Sequence, residues 1–223
     1  MRKIEGMIMT DSIEDLLLEA YSETHKMLKD SELCSVVNDG LLISYGPPIP
    51  EPDLLLLSFQ GGGADQVVQK EWPKKLLYVD SPYRFGKTLE ELCRVTGLYT
   101  SLKTSTMAFP ALFPQGPTKE AGRWEKGLGP YSVWRHHSVD WVERLTKVIK
   151  PKVVIVFGDR ASRVFDIRWD KIERFHSQNH QTFGVSTFQG APAVFCHHLS
   201  QGFVKSEARK CFEYAQRLVS ERS

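Results

Sequence analysis

The residues best suited to chemistry lie where apolar runs end. Leu54 to Leu57 lead directly into Ser58-Phe59-Gln60-Gly61-Gly62-Gly63. Glycines let main-chain amides approach a phosphate or a planar base, and the Gln60 amide can orient a water or donate to and accept from a polar ligand. The same glycines also suit a plain strand-to-helix turn, and the run is neither G-x-G-x-x-G nor a P-loop. A second group is Cys196-His197-His198-Leu199-Ser200-Gln201. A histidine there can donate to a developing anion and so help a leaving base depart, while Ser200 and Gln201 can bind an adjacent phosphate. The alternative is a histidine satisfied structurally at a strand mouth. Neighbouring side chains on extended backbone point oppositely, so one of His197 and His198 is expected to face a crevice.

Other chemistries compete for these residues. Cys196, His197 and His198, with the pair His136-His137, raise metal binding, but no spacing resembles a zinc finger or an H-E-x-x-H helix. Ser58, Ser105 or Ser200 beside His198 raises a serine hydrolase, although no G-x-S-x-G elbow is present. Phe59, Phe109, Phe113, Trp124, Tyr131 and Trp134 include loop positions where a ring can stack on a base. Lys205, Arg209 and Lys210 open the last helix with positive charge, fit for phosphate contact or for a solvated face.

These groups need a scaffold. The leucine run, Lys152 to Phe157 and Ala193 to Cys196 read as strands buried on both faces, and the first two stop at glycine turns. Helical spacing marks Asp11 to about Asp30, Val133 to Ile149 before Pro151, and the segment after Gly202. A weaker strand is expected at Leu102 to Met107, before an irregular loop from Ala108 to Pro117 that carries three prolines. Leu76 to Val79 and Phe183 to Phe188 are candidate edge strands. Together these elements predict an α/β fold, a three-layer α/β/α arrangement around a central four-stranded, mostly parallel sheet. Ligands of such sheets bind beyond the carboxyl ends of the strands. One domain over residues 1–223 is expected, with residues 1–50 as a helical and proline-rich extension.

The chain has 223 residues, with 29 basic and 27 acidic side chains, so bulk charge announces no polyanion partner and excludes none. Its four scattered cysteines suit reduced, buried thiols. No segment reads as a signal peptide or a membrane span, and a cytoplasmic monomer is expected.

The order of these loops resembles the uracil-DNA glycosylase superfamily over most of residues 53–223. Ser58-Phe59-Gln60-Gly61-Gly62 is similar to the family's water-binding loop, closest to its G-M-N-P-G form, with Gln60 at the water-orienting amide. Ser105 matches the base-reading asparagine, and His198-Leu199-Ser200-Gln201 resembles the His-Pro-Ser loop that precedes the DNA-backbone contacts. The resemblance implies a DNA glycosylase-like hydrolase that flips a damaged or deaminated base from single- or double-stranded DNA and cleaves the N-glycosidic bond with water. Gln60 and His198 would be catalytic, and Ser58, Phe59, Gly61, Gly62, Ser105 and Phe109 would form the base pocket. Ser200, Gln201, Lys205 and Arg209 would hold the DNA backbone, and no metal or organic cofactor would be needed. Serine for asparagine, and leucine for proline at Leu199, keep two alternatives open: a non-catalytic nucleic-acid binding protein on the same fold, and a small-metabolite hydrolase.

Overall fold

Segments that are apolar at every position, rather than at alternate ones, form strands covered on both sides. In the computed structural model the three strongest such segments are central strands. The elements run α1 (Ile13–Met27), α2 (Ser31–Cys34), β1 (Leu54–Gln60), α3 (Arg84–Thr96), α4 (Tyr99–Thr104), β2 (Thr106–Leu112), α5 (Ala121–Lys126) and α6 (Pro130–Ile149). They continue with β3 (Val153–Phe157), α7 (Asp159–Val164), β4 (Lys171–Arg174), β5 (Gln181–Phe188), β6 (Ala191–Cys196) and α8 (Lys205–Glu221). The structure describes residues 12–61, 67–116, 121–174, 181–200 and 205–222, with the main chain alone at 171–174 and 181–182.

The sheet order is β2-β1-β3-β6-β5-β4. The first four strands are parallel neighbours, and β5 and β4 add antiparallel at one side. Side chains alternate between two cores, as the pleat requires. Leu55, Leu57, Met107, Phe109, Val154 and Val156 face the layer of α1, α5, α6 and α7. Leu54, Leu56, Ala108, Ile155, Val194 and Cys196 face the layer of α3, α4 and α8. The molecule is therefore a three-layer α/β/α sandwich on a mixed, mostly parallel sheet. Among the described residues no helix is long and apolar enough to cross a membrane.

Three expectations are corrected. Leu102 to Thr104 belongs to helix α4, and the strand begins later, at Thr106. Residues 108–112 are buried strand rather than surface loop, although Pro110 lies among them. Proline lacks a donor, yet it is tolerated here because β2 is the outermost strand and pairs with β1 alone. Leu76 to Val79 forms no strand, since residues 77–80 turn. The strand expected at Phe183 to Phe188 is present as β5.

The N-terminal segment is part of the packing. Ser12 caps α1 by accepting from the Asp15 amide at 3.1 Å, and Leu16, Leu17, Ala20 and Tyr21 are buried. Residues 41–45 cover the outer edge of β2, where the Leu42 amide donates to the Phe113 carbonyl and the Tyr45 amide to that of Ala108. Gln69 fixes this cover. Its side-chain oxygen accepts from the Ile43 and Ser44 amides at 2.8 and 3.0 Å, and its nitrogen donates to the Ser44 carbonyl at 2.8 Å.

Candidate active site at the strand ends

Two neighbouring parallel strands, β1 and β3, are followed by helices on opposite faces, α3 on one and α7 on the other. The region beyond their carboxyl ends is the position where open α/β sheets bind ligands. Leu57, Val156 and Phe195 form one rung across β1, β3 and β6. Gln60, the last residue of β1, and His198, two residues past the end of β6, each lie three residues beyond it on either side of β3. Two interstrand spacings separate their strands, about 10 Å. Between them β3 ends at Gly158, with φ 84°, and a Cβ there would sit 3.4 Å from the His198 Cβ. A side chain in this backbone region is strained, so glycine permits the turn.

Gln60 is held by its nitrogen, which donates to the Gly116 carbonyl at 2.8 Å. That contact orients the amide, because the reversed assignment would set two carbonyl oxygens against each other. The Oε1 atom is buried and has no hydrogen-bond partner among the described residues. An acceptor in this condition is ready for a donor, such as a water or a base N–H. Gly61 lets β1 pass close to the end of β2, for a Cβ at that position would meet Gln115 Oε1 at 2.8 Å.

His198 Nδ1 lies 2.8 Å from Ser200 Oγ and accepts a longer bond of 3.4 Å from the Ser200 amide. A main-chain N–H can only donate, so Nδ1 is the unprotonated nitrogen and Nε2 carries the hydrogen. Burial pushes the imidazole down to about 4 from its ordinary 6.5, and His197 adds to the effect. At neutral pH the ring is therefore an uncharged donor. It packs on Phe85, with ring centroids 5.2 Å apart, and Phe85 continues through Tyr78 to Tyr45 as a row of rings under the rim.

No model of a known protein family matches the chain, and no curated protein does. The site is therefore characterised from its own geometry. Ser58, Phe59 and Gln60 are the last residues of β1 rather than a turn beyond Leu57, Gly61 follows them, and two of the strand residues face inward. Ser58 is buried with its hydroxyl 3.3 Å from that of Tyr45, and Phe59 packs in the core with the Arg160 guanidinium 5.9 Å from its ring centre. His198 and Ser200 share the rim.

Ser105 does not. It precedes β2, so it lies at the opposite end of the sheet, about 20 Å from Gln60 along the strand. There its hydroxyl accepts from the Asp53 amide at 2.9 Å, a structural bond at the entry to β1. Phe109 is in mid-strand and fully buried, as are Phe113, Trp124 and Trp134, so these rings build core rather than an open stacking surface. Lys205 and Arg209 are exposed but already paired, with Glu91 at 2.8 Å and Glu213 at 2.7 Å. Gly62 and Gln201 lie outside the described residues.

Gly116 and Phe85 lie beside Gln60 and His198 without having been singled out from the sequence, whereas the turn at Gly158 is expected from it. The two glycines carried a signal, each being close to the end of a parallel strand. Phe85 carried none, because it reaches His198 from the first turn of α3. Among the described residues no three His, Cys, Asp or Glu side chains converge as a metal-binding group.

Proposed function

We propose that the protein hydrolyses an N-glycosidic bond, as a DNA glycosylase-like enzyme on a uracil-DNA glycosylase-like variant of the three-layer fold. One observation carries this: a neutral histidine donor and an amide acceptor without a hydrogen-bond partner among the described residues each lie three residues beyond one rung, on the two strands that flank β3 and its turn at Gly158. The glutamine amide is no base, so it can place a water but cannot deprotonate it. That suits a bond whose cleavage runs ahead of water attack, which an N-glycosidic bond allows because the sugar ring oxygen supports the developing cation.

In this scheme the C1′–N bond breaks with its electron pair going to the base. The His198 Nε2–H donates to the base oxygen on which the charge collects. The water accepted by Gln60 Oε1 then forms the C1′–O bond, and its proton leaves to the departed base or to solvent. A neutral donor fits this task, because it stabilises the anion without having to give up a proton.

Oligonucleotides carrying different modified bases, single- and double-stranded, test the proposal by detection of alkali-labile abasic sites. Gln60→Ala and His198→Ala should each lower base release by about 10²–10³-fold. Release unchanged by both substitutions would refute the assignments, and tight DNA binding with no release from any substrate would favour a non-catalytic binding protein.

The 2.8 Å contact between Ser200 Oγ and His198 Nδ1 supports a second reading, a small-metabolite hydrolase with Ser200 as nucleophile. An imidazole of such low basicity is a weak base for that role. Loss of all turnover in Ser200→Ala, with a small ester or amide as substrate, would favour it.

A further inference from the structure

The helix that follows β2 brings a different surface to the same rim. Trp124 of α5 lies against Gly116, its Nε1 3.6 Å from where a Cβ would be, and Glu125 bridges to Arg160 and Arg163 of α7 at 3.4 and 2.6 Å. Between α5 and α6 the chain turns through Gly127-Leu128-Gly129, with both glycines at positive φ, 58° and 55°. Leu128 at the tip is 72% exposed, the highest value among the described large hydrophobic side chains. A lone exposed leucine is ordinary. The turn that carries this one is braced, because Arg135 Nη1 donates to the Glu125 carbonyl at 2.9 Å and the Arg135 Cδ lies 3.5 Å from where a Cβ on Gly127 would be. Tyr131 packs edge-on against Trp124 at 4.6 Å and stiffens the same base.

The surroundings of Leu128 are cationic. Arg123 and Lys126 are exposed on α5 and have no acidic partner among the described residues. Arg160 and Arg163 share the single carboxylate of Glu125 on α5, and Asp159 is the one acid on α7. On a chain of almost balanced charge this is a local concentration of positive groups. It differs from the start of α8, where Lys205 and Arg209 each have a glutamate of their own.

We infer that α5, the 127–129 turn and α7 form the face on which a nucleic-acid strand lies, its phosphates against Arg123, Lys126 and Arg163 and a base face against Leu128. The inference rests on the proposed nucleic-acid substrate and moves its contact surface from α8 to the opposite helical layer. A polyanion whose bases offer flat apolar faces matches both parts of the surface, whereas a purely acidic partner would leave Leu128 without a counterpart.

Fluorescence anisotropy with a short fluorescein-labelled oligonucleotide, single-stranded and as a duplex, over a range of salt concentrations tests it. Arg123→Glu/Lys126→Glu should weaken binding by at least about tenfold and reduce the steepness of log K against log salt by about 1.5. Lys147→Glu/Arg217→Glu changes net charge equally at exposed sites elsewhere and should stay within about threefold of the parent. Leu128→Ala should weaken binding about fivefold and leave the salt slope unchanged. Thermal midpoints close to the parent's show that each variant folds.

If the parent binds and the α5 variant binds equally well, or if Lys205→Glu/Arg209→Glu takes the larger loss, the surface is wrong while base release can still stand. If binding depends on α5 and Leu128 as described but no base is released, the surface is right and the glycosylase chemistry is wrong. A parent that binds no oligonucleotide overturns the surface, and turnover of free nucleosides then decides the chemistry.

Discussion

At His198 the folded protein favours the uncharged ring, with the proton affinity pushed down to about 4, while in the unfolded chain the ring takes up its proton near 6.5. Unfolding therefore binds a proton between those values. The stability linked to this residue is intact above about pH 6.5, declines as pH falls and is gone by about pH 4. Each tenfold in proton affinity is worth about 1.4 kcal/mol, so the whole effect is about 3 kcal/mol. His137 is also held below its ordinary value by burial, so the parent alone does not isolate one ring. Urea unfolding of the parent and of His198→Gln does, and the variant should lose less stability between neutral pH and about pH 4.5. Base release, if it uses the neutral donor, should show no acid limb from this histidine between about pH 5 and 8.

Among the elements, the cover over the edge of β2 depends on one side chain. Gln69→Leu keeps the bulk but strands the Ile43 and Ser44 amides and the Ser44 carbonyl, all buried. A destabilisation of about 3 kcal/mol is expected from equilibrium unfolding in urea. Nothing in the local sequence announces this clamp, because its partners lie more than twenty residues away. By contrast β1, β3 and β6 are legible in sequence, since Leu54 to Leu57, Val153 to Phe157 and Ala193 to Cys196 leave no polar face. Helices α1 and α6 are legible from their spacing, and Pro151 marks where α6 must have stopped. β2 is misplaced because Leu102 alone cannot distinguish one helical turn from a strand, and because Pro110 reads as a loop unless the strand is known to be outermost. That shift is what carries Ser105 to the wrong end of the sheet and Phe109 into the core. The positions of Gln60 and His198 do not depend on it, since one ends β1, which runs three residues past Leu57, and the other follows β6.

For the whole molecule, the two cores on either side of the sheet make the N-terminal helix a wall rather than an appendage. Leu17 is fully buried in the core shared by α1 and the sheet. Leu17→Ala should cost about 2–4 kcal/mol, read as a lowered urea midpoint with the slope unchanged. The charge distribution also has meaning only at this scale. A nearly neutral total conceals Arg123 and Lys126 on α5, which have no acidic partner among the described residues, and paired cations at the start of α8.

The shared rung of Leu57, Val156 and Phe195 has a further consequence for how such a site can change. Gln60 ends one strand and His198 follows another by two residues, and both strands are locked by main-chain hydrogen bonds, so the gap between their roots is a ruler graduated in whole strands. Replacement of the loops above can alter which molecule is admitted and how it is gripped. The spacing between the strands that carry the Gln60 amide and lead to the histidine would stay as the ladder sets it.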